Sequence, residues 1–96
     1  MAKVTRIGDN STADPCGAPP RPAKEGSPNV FANGIAVVRI GDNYELHACP
    51  GSSPHSAVAS SGSSTVFANG IAIHRVGDDI SCGSTGADGS PDVYIG

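Results

Sequence analysis

Ninety-six residues with a net charge of −3, no Trp, two Phe and two Tyr leave room for one small domain and not for a large aromatic core. A slightly acidic chain without a basic patch argues against a nucleic-acid partner, and no run approaches the roughly 18–20 apolar residues of a membrane span. Gly and Pro together supply 21 residues, but the apolar residues fall in short regular runs, which points to a turn-dense β protein rather than a disordered one.

In chain order, Met1-Ala2-Lys3-Val4 carries no apolar signal core, so the expectation is synthesis in the cytoplasm without a signal peptide and export by another route. Lys3–Asp9 reads KVTRIGD. A loop over Asn10–Lys24 follows, with Cys16 inside it. Gly26–Asp42 then reads GSPNVFANGIAVVRIGD, and Gly62–Asp78 reads GSSTVFANGIAIHRVGD; twelve of the seventeen positions are identical at an offset of 36. Each unit predicts a strand, a tight Asn-Gly turn (Asn33-Gly34, Asn69-Gly70) and a second strand, Ile35–Ile40 or Ile71–Val76. The Gly-Asp pairs close the second strands, where Asp42 and Asp78 accept backbone N–H groups. Between the units runs a second irregular loop, Asn43–Ser61, with His47, Cys49 and His55. A third loop, Asp79–Asp88, holds Cys82. The last segment, Gly89–Gly96, reads GSPDVYIG and matches the first half of the unit, as Lys3–Asp9 matches the second half.

Two complete units and one split between the chain ends make a ring of three. The expected fold is all-β: a single domain over 1–96, built from repeat units 26–42, 62–78 and 89–96 plus 3–9, related by a pseudo-threefold and without significant helix. Closing the ring also removes an open strand edge. An ordinary β-sandwich with a fortuitous duplication is the alternative.

Under a threefold relation the three loops converge, and they hold all three cysteines and two of the three histidines. Cys16, Cys49 and Cys82 are spaced about 33 residues apart. An odd number of cysteines without a signal peptide makes a disulfide framework the poorer reading, and mixed Cys and His donors suit zinc better than iron. No CxxC or HxxxH pair occurs, so convergence carries the reading. The rival reading makes the cysteines small buried hydrophobes and the histidines surface residues. His74 takes the place of Val38 in the repeat, as a ligand or as a strand residue facing solvent; Cys49 is held in reserve. There is no nucleophile elbow, no EF-hand spacing and no P-loop, so the chain does not read as an enzyme.

Two units of Gly-Ser-x-x-Val-x-x-Asn-Gly followed by Arg-x-Gly-Asp, with the chain-end half-repeats in register with them, resemble PAAR-repeat proteins. The eponymous Pro-Ala-Ala-Arg stretch reads Ala36-Val37-Val38-Arg39 and Ala72-Ile73-His74-Arg75, keeping only the Arg, as in a divergent, phage-type member. The resemblance implies a cone-shaped structural tip, one per trimer. It would cap and sharpen the β-helical spike of a contractile injection machine, a phage tail or a type VI secretion apparatus. It would sit at the tip of the virion tail or apparatus and meet the target cell envelope transiently. It further implies a zinc ion near the vertex, held by three His and one Cys. By position, His47, His55 and Cys82 match that set, and Cys16 and His74 compete for the fourth place. The alternative function is a free-standing zinc-binding β module that binds a protein or carbohydrate partner.

Overall fold

The Asn-Gly turns form as their chemistry requires. In the computed structural model, which describes residues 1–49, 51 and 54–96, Asn33 and Gly34 have φ of 54° and 75°, and Asn69 and Gly70 57° and 76°. Positive φ at both central residues twists a two-residue turn with the strands it joins. The strands are β1 (Ala2–Lys3), β2 (Phe31–Ala32), β3 (Ile35–Ala36), β4 (Asn43–His47), β5 (His55–Val58), β6 (Phe67–Ala68), β7 (Ile71–Ala72) and β8 (Tyr94–Ile95). No helix occurs among the described residues.

β2 pairs with β3 and β6 with β7, and β1 pairs antiparallel with β8 in the same register: Lys3 faces Tyr94 as Ala36 faces Phe31 and Ala72 faces Phe67. The third hairpin is thus assembled from the two ends of the chain. The expected long second strands are shorter. After two residues each leaves its hairpin partner and bridges to the neighbouring units, through Val4–Arg75, Arg6–Val37 and Arg39–Ile73. At the centre the backbone closes a ring of three hydrogen bonds: Thr5 N donates to His74 O (3.1 Å), His74 N to Val38 O (2.9 Å) and Val38 N to Thr5 O (2.9 Å). Such a cycle satisfies every central donor and acceptor without leaving an edge.

Two apolar clusters flank this ring. The first is threefold in composition: Val4, Val37 and Ile73, with Ala32, Ala68 and Ile95, and with Val30, Val66 and Val93. The second has no symmetry and comprises Ala23, Val38, Tyr44, Ala57, Ala59 and Ile80, with Cys82 against it. Small side chains fill both, as the composition demands.

Polar staples repeat with the same symmetry. Arg6, Arg39 and Arg75 each grip the aspartate three residues on, with Nε to Oδ2 distances of 3.0, 3.0 and 2.8 Å, and each also donates its backbone N–H to that oxygen. Burial pushes the Asp78 carboxyl up, but Arg75 outweighs it and holds the group below the usual carboxylate range. Ser27 Oγ donates to Asn69 Oδ1 and Ser90 Oγ to Asn33 Oδ1. Ser63 Oγ, the third of these serines, donates to the carbonyl of Gly96, the residue that takes the place of those asparagines.

The second loop departs from expectation. Asn43–Ser61 contains a two-stranded ribbon, β4 against β5, with a register shift between Tyr44 and His47. That shift breaks the period-two alternation, so Glu45 and Leu46 are both exposed and the strand signal is hidden in the sequence. Residues 50, 52 and 53 of this expected loop lie outside the described residues.

Candidate metal centre

Two short turns and the β4–β5 ribbon build the site. In the first loop Asp14 N donates to Ala18 O (2.9 Å) and Gly17 N to Asp14 O (2.8 Å), while Asp14 Oδ1 accepts from Cys16 N (2.9 Å). The third loop repeats this turn: Ile80 N donates to Ser84 O and Gly83 N to Ile80 O, both at 2.9 Å. Cys16-Gly17 and Cys82-Gly83 therefore occupy equivalent corners, and Asp14 stands where the third loop has Ile80. A β-carbon on Gly83 would lie 3.4 Å from Pro15 Cγ, so the two turns abut.

Asp14 and His47 are both buried, with Asp14 Oδ2 2.9 Å from His47 Nε2. The two face each other as a close ion-pair contact, off the ideal hydrogen-bond line, and neither atom has another hydrogen-bond partner. The Cys82 sulfur joins them in a group whose donor atoms all lie within 4.8 Å of one another. Asp14 Oδ2 and His47 Nε2 each have only the other as a close polar neighbour, and a cation held by both would satisfy them more fully. The Cys82 sulfur, 3.0 Å from Ser84 Oγ, lies beside them. Carboxylate, imidazole and thiolate are each zinc ligands, so these residues fit a metal ion and would hold it as a three-residue set. The N–H of Cys16 holds the Asp14 carboxyl below the usual carboxylate range, against the opposing effect of burial; Cys82 and His47 lower it further. Asp14 is therefore ionised and ready to ligate at neutral pH.

The remaining expected ligands fare differently. His55 lies opposite His47 in the ribbon, its ring edge-on at a centroid distance of 4.2 Å, but it is exposed and outside the donor group. Cys16 forms a disulfide with Cys49, with Cα atoms 5.5 Å apart, which corrects the expectation of unpaired cysteines. Both sulfurs nonetheless lie within 4.8 Å of an Asp14 ligand atom. His74 is not at the site. It is fully buried, its Nδ1 2.8 Å from Ser61 O and its Nε2 3.0 Å from Tyr44 Oη. Facing into the core from the central ring, both its nitrogens are already used.

Asp14 is the candidate ligand that sequence reading missed. It is the one acidic residue of the first loop and lies two residues before Cys16, a spacing that was its only signal. Comparison with protein-family models and with curated proteins gives no match.

Proposed function

We propose that this chain is a structural cap that seats on the end of a threefold-symmetric partner, the trimeric β-helical spike of a phage tail or secretion apparatus, with a zinc ion stiffening its loop end. The observation that carries the reading is the pseudo-threefold of exposed apolar residues. Phe31, Phe67 and Tyr94 occupy one position of the three units and are 55%, 55% and 45% exposed. Ile35 and Ile71 repeat at a second position, and Ile7 and Ile40 at a third. Exposed large apolar residues repeated in this way mark an interaction surface, and a monomer bearing three near-copies of it matches a trimer one to one.

The rest of the chain suits a mechanical role. The three-way backbone cycle and the Arg–Asp forks make a stiff body, 38 × 23 × 22 Å. Asp14, His47 and Cys82 would hold zinc among loops whose core is small, six buried residues of which three are alanine, where binding energy adds directly to folding energy. A free-standing zinc-binding module that binds a protein or carbohydrate partner would also use exposed aromatic residues, but it would not call for their threefold repetition.

Co-expression with the trimeric spike protein of the same source, followed by native mass spectrometry, tests this. One chain per trimer is expected, and Phe31→Asp with Phe67→Asp should abolish the complex while far-UV circular dichroism stays unchanged. No complex, or three chains per trimer, would overturn the proposal.

A further inference from the structure

Two donor groups share one carboxylate. Asp14 belongs both to the group with His47 and Cys82 and to the group with Cys16 and Cys49. Four side chains that can ligate a metal are therefore gathered around a single carboxylate, but two of them are joined to each other. A disulfide sulfur carries no negative charge and is a poor ligand; a thiolate is among the best zinc ligands known to proteins. A metal drawn to Asp14 from the side of Cys16 and Cys49 would compete with the bond for those two sulfurs.

We propose that the Cys16–Cys49 disulfide is a redox gate on the metal centre. With the bond intact, Asp14, His47 and Cys82 form a weak three-ligand site. With the bond reduced, Cys16, Cys49 and Cys82 with His47 form a Cys3His set, a standard structural zinc site, and Asp14 is left to accept the Cys16 N–H. Reduction breaks the S–S bond and adds two electrons and two protons to give two thiols, which lose those protons on ligating zinc. A reducing compartment thus favours the metal-held form and an oxidising one the disulfide-held form. Either way the first loop is tied to the β4–β5 ribbon, once through the ion and once through a bond that closes a 33-residue separation. The inference rests on the metal-centre reading above, and its geometry comes from the shared aspartate.

The test compares the full chain in two states. The oxidised chain should show one alkylatable thiol, that of Cys82. Treatment with a trialkylphosphine, which takes its oxygen from water as the S–S bond is reduced, should expose three. Zinc is then titrated into each form against a chromophoric chelator, and thiol alkylation is followed by mass spectrometry. The reduced chain should bind zinc at least about tenfold more tightly, with zinc shielding Cys16, Cys49 and Cys82 together. The Cys16→Ser/Cys49→Ser variant should bind as weakly as the oxidised chain whether or not phosphine is present. Affinities within about twofold, or Cys16 and Cys49 alkylated equally fast with and without zinc, would overturn the gate but leave the three-ligand centre standing. Failure to bind zinc in either state would overturn both.

Discussion

His74 stands in the central ring where its counterparts are Thr5 and Val38, and all three are fully buried. A carbonyl can only accept, so Nδ1 carries the proton that goes to Ser61 O, and Nε2 accepts from Tyr44. Burial pushes the Tyr44 phenol well up, which keeps it a donor. Burial also pushes His74 down, the Ser61 carbonyl opposing. The folded pKa is thus below the unfolded value of about 6.5, and the unfolded chain binds the extra proton first. The stabilisation is complete above that value and is lost as pH falls from it towards the folded pKa. Urea midpoints of the oxidised chain with chelator present should be flat from pH 8 to 7 and decline below about 6.5; His74→Gln should reduce that decline. Replacement of a valine by a histidine in the repeat was legible in the sequence. Its inward orientation was not, because the Tyr44 hydroxyl that receives it comes from a ribbon whose strand pattern is broken. Asp14 was hidden for a similar reason: its partners lie 33 and 68 residues away in the chain.

Close backbone contact governs the hairpin elements. A β-carbon on Gly26, Gly62 or Gly89 would lie 2.7, 2.6 or 2.8 Å from the carbonyl oxygen of Val37, Ile73 or Val4. Each of these oxygens accepts from the serine that follows the glycine, Ser27, Ser63 or Ser90, at 2.8 Å. Gly62→Ala should therefore cost about 2–3 kcal/mol, since backbone on both sides must move. Gly34→Ala meets nothing within 4 Å and should cost only the left-handed strain, about 1–2 kcal/mol. Denaturant unfolding of the two variants checks the order. These elements were readable because turn and close approach are written in short, repeated motifs. β4 and β5 were not, since neither a tight Gly turn nor clean alternation marks them.

At the scale of the molecule, the third hairpin places Gly96 and Met1 where the other units have Asn-Gly. Splicing Gly96 to Met1 and opening the chain between Asn69 and Gly70 exchanges one broken turn for another of the same geometry. Such a permutant should fold with the same circular dichroism spectrum and a Tm within roughly 5 °C of the original. A collapse of Tm would mean that the three units are not interchangeable.

The amino-acid sequence by itself determined the ring: three copies of one strand–turn–strand motif. Two are intact and specified by contacts within a few residues, and one is divided between the chain ends but legible by its match to the other two. Tertiary structure alone decided the chemistry at the loop end. It paired Cys16 with Cys49, turned His74 into the core and brought Asp14 against His47 and Cys82. Those choices depend on how three unlike loops pack together, and no local pattern encodes a contact between segments that meet only once the ring has closed.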